Sequence, residues 1–362
     1  MNKYIYVGIL AVVCGCNGNS SDVDTDPAGG TVGLDILGGG SNSVSAVTLQ
    51  VFADDGDDLD VPRDLAFHPE TGDLWIVNQA SESVTILEDP GTDDQKSKYK
   101  KDPGNGDHFL AHPSGLAFGG NNMMATIHDT DEVTQGGATP ADFMGPTLWP
   151  SSKGQFDGGH NSHMDMLHHS PSGKGIANSG DNVYWVFDGE HKSITMYDFH
   201  SDHGAGGTDH SDGEVAVYGA KKFKGLKNGT PSHLKVDGDL LYIADSGNNR
   251  IAVLDITSGT RGDQTSPNYD GGDQYEMEDV DQYTLIDGIE VGMEAPSGLA
   301  LHNDMIFVSD AGNPAIYAFD MDGELIDFLE LDGAINGIAI DDDGAIWYVD
   351  PDDDSVSRIT AQ

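Results

Sequence analysis

Apolar positions in this chain fall in short runs separated by Gly, Asp and Asn. Some runs are continuous and rich in β-branched and aromatic residues, as in Leu74-Trp75-Ile76-Val77-Asn78, Tyr184-Trp185-Val186-Phe187-Asp188 and Trp347-Tyr348-Val349-Asp350. Others alternate apolar and polar, as in Asn249-Arg250-Ile251-Ala252-Val253-Leu254-Asp255. Both patterns, bounded by turn formers, predict antiparallel β-hairpins.

The runs recur in a fixed order. An opening phrase appears as Pro62-Arg63-Asp64-Leu65-Ala66-Phe67, Pro113-Ser114-Gly115-Leu116-Ala117-Phe118 and His163-Met164-Asp165-Met166-Leu167-His168. It returns as Pro231-Ser232-His233-Leu234-Lys235-Val236, Pro296-Ser297-Gly298-Leu299-Ala300-Leu301 and Ile335-Asn336-Gly337-Ile338-Ala339-Ile340. A second run ending in a polar residue and a third, alternating run follow each opening. Six copies predict an all-β fold, a six-bladed β-propeller over residues 45–362. Candidate fourth strands include residues 214–218 and 325–329. The last copy stops after its third run, and residues 47–52 hold an unassigned strand that would complete it. Closure of this kind removes exposed sheet edges. A β-sandwich would not explain a repeat that ends one strand short and begins with one.

The innermost strand of each blade lines the propeller axis. Asp64, Asp165 and His233 fall at one matched position of the opening phrase, with Gly115, Gly298 and Gly337 elsewhere. The glycines are expected to leave space, and the three polar groups, with His163 two residues earlier on the same face, to converge on an axial channel.

The N-terminus changes the cellular picture. Lys3 and an apolar run of roughly ten residues read as a signal peptide over residues 1–15, too short to span a membrane. Val13-Cys14-Gly15-Cys16 resembles a bacterial lipobox, with Cys16 the lipidated residue; an ordinary secretory signal cut slightly later is the alternative. Residues 16–44, poor in large apolar groups, read as a flexible tether. The expectation is a lipid-anchored monomer of the bacterial cell envelope, periplasmic or at the cell surface. The two cysteines both lie in the leader, so the mature domain has no disulfide.

A formal net charge of −45, from 62 acidic against 17 basic residues, repels phosphate backbones and excludes nucleic acid as a partner. The charge suits either a solvated surface in salty surroundings or divalent-cation sites. Of 14 histidines, nine fall within residues 128–210. Imidazole and carboxylate ligate transition metals without cysteine. His128, which stands where other blades carry Asn or Asp, joins His163, Asp165 and His233 as candidate metal ligands. The loop over residues 200–213 carries His203 and His210 and is expected to cap the channel and supply a general base. Arg63 is read either as an anchor for a substrate carboxylate or as a salt bridge to Asp60 or Asp64. The expected cofactor is a divalent metal, Zn, Cu or Ca; acidic turns such as Asp54-Asp55-Gly56-Asp57-Asp58 and Asp350-Pro351-Asp352-Asp353-Asp354 could bind Ca, but they lack the twelve-residue EF-hand pattern ending in glutamate and read first as solvated turns.

The phrases "PSGLAF", "LYIADSGNNRIAVLD" and "PSGLAL…IFVSDAGNPAIYAFD" resemble the NHL repeat family over residues 61–358. That resemblance implies the propeller fold and, among NHL-type enzymes, is nearest to the peptidyl-hydroxyglycine amidating lyase, whose metal sits on the axis. The lyase histidines directly follow the blade-opening proline; here those positions hold Arg63, Ser114, Met164, Ser232, Ser297 and Asn336. Lactonase-type propellers are a second analogue, with Asn336 and Asp310 the nearest equivalents of their axial ligands. Two functions follow: a metal-dependent lyase or hydrolase acting on a small molecule in the channel, or a non-catalytic lipoprotein that binds a small-molecule or protein ligand on one propeller face.

Overall fold

A computed structural model describes residues 33–101, 109–131, 144–154, 163–227, 229–266 and 268–362. The signal segment, Cys16 and the tether up to residue 32 lie outside the described residues. Six antiparallel sheets follow one another around an axis. From inner to outer strand, blade one is Pro62–Phe67, Leu74–Asn78, Ser83–Glu88 and Lys96–Lys100. Blade two is Pro113–Phe118, Met123–His128, Met144–Pro150 and Asp165–His168; blade three is Gly173–Gly180, Val183–Asp188, Ser193–Asp198 and Glu214–Tyr218. Blade four is Leu234–Asp237, Leu240–Asp245, Arg250–Asp255 and Gln282–Asp287; blade five is Pro296–His302, Met305–Asp310, Ala315–Asp320 and Leu325–Glu330. Blade six takes Ile338–Ile340, Ile346–Asp350 and Ser355–Ala361 from the C-terminus, and Val47–Ala53 pairs with its third strand to close the ring.

The two-residue period of the strands explains how the ring is held together. Along the second strand of blade one, Leu74 and Ile76 pack toward blade six, while Trp75 and Val77 pack toward blade two. In blade three, Tyr184 and Val186 face blade two, and Trp185 and Phe187 face blade four. Each second strand is thus buried on both faces, which is why it reads as a continuous apolar run.

Hydrogen bonds tie neighbouring blades together near the axis at every junction. Leu116 N donates to Asp64 Oδ2 (3.1 Å), and Ser114 Oγ to Gly173 O (2.7 Å). Ser232 N donates to Lys174 O (2.8 Å), His233 N to Ser297 O (2.9 Å), Ser309 Oγ to Asn336 O, and Gly337 N to Arg63 O (3.1 Å). The glycines at the matched axial position therefore serve close approach instead of leaving a channel open. A Cβ on Gly298 would lie 2.4 Å from Asn336 O, and one on Gly175 would lie 2.2 Å from Ser232 O.

Three features differ from the sequence-based expectation. First, the phrase His163 to His168 does not open blade three. It pairs with Met144–Pro150 as the outer strand of blade two, so Asp165 and His163 lie at the rim, away from the axis. The true opening is Gly173-Lys174-Gly175-Ile176-Ala177, in register with Pro-Ser-Gly-Leu-Ala. The long insertion between the second and third strands of blade two displaces the apparent spacing. Second, blade three is widened by a hairpin, Thr260–Gln264 and Asp273–Glu278, inserted between the third and fourth strands of blade four; it pairs in parallel with Glu214–Tyr218. Third, residues 33–44 pack on the propeller. Leu37 is fully buried among side chains of blades five and six, and Asp327 Oδ2 accepts from Leu34 N (2.8 Å) and Gly40 N (3.1 Å).

Candidate metal centre and axial mouth

At the rim between blades two and three, His163, His203 and His210 each bring a potential ligand nitrogen within 4.8 Å of the others. His163 precedes the outer strand of blade two and stacks on Phe109, their ring centroids 3.7 Å apart. His203 and His210 come from the loop between the third and fourth strands of blade three. That loop folds against blade two, with His203 N donating to Met164 O (3.2 Å). It covers the rim and not the channel.

The cluster is largely buried and its nitrogens are oriented. The His203 side chain is 4% exposed and that of Asp165 1%. His203 Nδ1 lies 2.6 Å from Gly204 O, which makes it the donor and leaves the lone pair on Nε2. Nε2 is buried with no hydrogen-bond partner and lies 3.9 Å from Asp165 Oδ1. His210 Nδ1 lies 2.7 Å from the same carboxylate oxygen. Burial pushes the Asp165 carboxyl up against the pull of the His210 hydrogen bond. Burial disfavours charge on His210, but its hydrogen bond to Asp165 together with the negative charges of Asp165, Asp270 and Asp209 outweighs this and holds it above its ordinary value. The pair thus holds a proton more firmly than either group does in water. Behind it, His168 Nδ1 meets Asp270 Oδ1 at 2.7 Å, with Asp270 Oδ2 accepting from His168 N (2.8 Å). His160 lies outside the described residues.

A second group, His169, Asp188 and His191, also brings potential ligand atoms within 4.8 Å. Several of its atoms are already committed to the fold. Gln274 Nε2 donates to His169 Nδ1 (3.0 Å), while Asp188 accepts from Glu190 N (3.1 Å), His191 N (2.8 Å) and His191 Nδ1 (2.7 Å). Asp188 does here what Asp245, Asp310 and Asp350 do in their blades, which is to bind the backbone of the adjoining turn. Asp310 accepts from Glu294 N, Ala295 N and Gly312 N, which commits both of its oxygens to the fold.

The remaining sequence candidates divide by position. His128 is fully buried at the end of the second strand of blade two and joins neither histidine group. Its Nε2 meets Thr126 Oγ1 (3.1 Å) and its Nδ1 meets Gly145 O (3.2 Å), tying that strand to the third. On the axis, His233 and Asp64 from opposite blades meet at 3.5 Å, and His233 Nε2 faces Ser114 O at 3.2 Å. Burial drives the His233 pKa down, and the Asp64 carboxylate opposes this. Arg63 is the residue before Asp64 in the same strand. It forms no salt bridge to Asp60 or Asp64; Nε and Nη2 both donate to Gln79 Oε1, and the Asn336 amide, turned to satisfy both its atoms, accepts from Nη1 at 3.2 Å. Asp270 and Gln274, which complete the rim, come from the inserted hairpin. No spacing in the sequence connects them to histidines about a hundred residues earlier.

No family model matches the chain, and no curated protein sequence matches it. Solved structures do resemble it. An auxiliary nutrient binding protein from Bacteroides ovatus superimposes with a TM-score of 0.55 at 14% identity, covering 87% of this chain and 77% of that one. The calcium-binding protein regucalcin from Agrobacterium tumefaciens gives 0.52 at 14% identity, covering 87% and 94%. A gluconolactonase from Xanthomonas campestris gives 0.52 at 12% identity, covering 89% and 92%. With the sheet topology, these likenesses make the chain a six-bladed β-propeller. At such identities they establish the fold alone.

Proposed function

We propose that this protein is an exported, lipid-anchored propeller, its blades resembling NHL repeats, that holds a divalent metal ion at the rim between blades two and three. His163, His203 and His210 would be the ligands, and Asp165 the carboxylate that orients His210. The observation that carries this reading is the buried His203 Nε2, which has no partner while Nδ1 is committed to Gly204 O. An imidazole pinned through one nitrogen and left bare at the other is the usual state of a metal-ligating histidine. The donor set, three imidazoles with Asp165 supporting one of them, suits Zn or Cu better than Ca. When bound, the metal would cross-link the loop over residues 200–213 to blade two. The chain's own contribution is to bring deprotonated nitrogens together, exclude water and let Asp165 hold the remaining proton.

A second reading makes the same rim a lyase or hydrolase centre. It is favoured by the Asp165–His210 pair, a carboxylate-oriented imidazole of the kind that serves as a general base; a gluconolactonase shares the fold. Burial of His163, Asp165 and His203 favours the first reading, because a hydrolytic metal keeps an open position.

Full-length protein purified without a His-tag is expected to carry close to one equivalent of transition metal, and His203→Ala to lose it. Co(II) added to chelator-treated wild type should give the visible bands of an imidazole-ligated ion, absent in His203→Ala. Trace metal only, or bands that His203→Ala leaves intact, would overturn the metal reading. Hydrolysis of lactones or esters that His210→Gln abolishes would favour the second. Cys16→Ser should release the protein from the membrane fraction; retention there would refute the anchor.

A further inference from the structure

We infer that the axial mouth of the propeller binds a small organic carboxylate, with Arg63 as its anchor. The inference is independent of the rim metal and begins with the charge balance. In a chain with 62 acidic residues, Arg63 is partly buried and, among the described residues, no carboxylate oxygen lies within 4 Å of its guanidinium. The other three arginines are paired: Arg250 with Asp245, Arg261 with Asp273 and Arg358 with Asp341. Neutral amides hold Arg63 instead, Gln79 on Nε and Nη2 and Asn336 on Nη1. A guanidinium has five N–H groups. These contacts use three and leave one hydrogen on each terminal nitrogen, the pair that a carboxylate accepts in bidentate fashion.

The position suits a ligand. Arg63 is the second residue of the inner strand of blade one, next to Asp64 of the Asp64–His233 pair on the axis. It reaches toward the opposite blade, where a Cβ on Gly229 would sit 2.6 Å from Nη2; glycine there leaves the guanidinium room. The connection that carries Gly229 also carries Lys221, Lys222, Lys224 and Lys227, all exposed, with exposed Lys192 on the neighbouring hairpin. Five of the 17 basic residues thus share one sector of this face, where they would steer an anion inward. The acidic groups facing Arg63 are Asp129, already paired with Lys174, and Asp352. They favour a singly charged carboxylate over a phosphate dianion.

The test uses the full-length protein at fixed ionic strength, titrated by calorimetry with acetate, benzoate and gluconate and, in parallel, with methyl benzoate and inorganic phosphate. At least one carboxylate is expected to bind at a single saturable site, with the ester and phosphate at least about tenfold weaker. Arg63→Gln should weaken it at least about tenfold, while the exposed outer-strand variant Lys96→Gln/Lys98→Gln leaves it unchanged. Gln79→Glu provides a check that retains the arginine, because a carboxylate on Nε and Nη2 neutralises the guanidinium and should weaken binding at least about tenfold without loss of thermal stability. No saturable binding by any of the three carboxylates, equal binding by Arg63→Gln, or wild-type binding by Gln79→Glu would overturn the proposal.

Discussion

His169, His203 and His233 are all buried or nearly so, and what each ring nitrogen faces gives each a different role. His203 presents a bare Nε2 to the rim cluster. His233 sits between two acceptors, Ser114 O and Asp64 Oδ1, and fills the throat. His169 accepts a hydrogen bond from Gln274 and stacks on His191, ring centroids 4.4 Å apart. Burial holds His169 down to about 4. Its folded pKa is depressed, so the unfolded chain binds the extra proton between about pH 6.5 and pH 4, and stability is lost as the pH falls through that window. The effect is about 2 kcal/mol between pH 7.5 and 5. The advantage of wild type over His169→Gln in denaturant unfolding should shrink by that amount across the interval; an advantage that stays constant would mean His169 titrates normally. At this scale the sequence identified the histidine-rich region but not the assignments. His163, Asp165, His203 and His210 do meet, because His163 leads directly into the strand that carries Asp165 and the loop over residues 200–213 brings the other two against it. His128 and His233, grouped with them by residue type, are separated from them by the fold, His128 within blade two and His233 on the axis.

Elements were legible wherever burial left a period-two or continuous apolar signature, and the second strands of all six blades fall in that class; the closing N-terminal strand was legible from its apolar alternation and the gap in blade six, although Leu49 and Val51 on it are exposed. The opening of blade three was not. Its Gly173-Lys174-Gly175-Ile176-Ala177 lacks the proline, and the preceding outer strand of blade two mimics an opening phrase more closely. The inserted hairpin was invisible for another reason. Its first strand is exposed and polar because it lies at a sheet edge, so burial writes no pattern into it. The segment before the closing strand reads as tether because, among its described residues, Leu37 alone is fully buried, with Leu34, Ile36 and Val44 only partly so. That makes it testable. Leu37→Ala should destabilise the propeller by about 2–5 kcal/mol, as for other fully buried leucines, measured as a lower denaturant midpoint with unchanged slope. A flexible tether would leave the midpoint where it is.

For the whole molecule, the dominant long-range term is its net charge of −45. A compact body of that charge repels itself, and the ring geometry leaves the repulsion little room to relax. Two remedies are available, screening by salt and specific cation binding in the acidic turns, and the turns themselves favour the first. In the turn after the closing strand, Asp54 Oδ1 accepts from Gly56 N (2.8 Å) and Asp57 Oδ2 from Asp54 N (3.3 Å). In blade six, Asp350 Oδ1 accepts from Asp352 N (2.9 Å) and Asp353 N (3.2 Å). These carboxylates cap backbone amides, which shapes the turn without assembling the six to eight oxygens that Ca prefers. Raising NaCl from 0.01 M to 1 M shortens the screening length from about 30 Å to about 3 Å. The thermal midpoint should therefore rise by several degrees, roughly 3–6 °C for a chain of this size. Millimolar CaCl2 should add nothing beyond its ionic strength. If Ca at constant ionic strength raised the midpoint by as much as molar NaCl, the acidic turns would be binding sites, and the charge would have to be understood as ligand density instead of solvated surface.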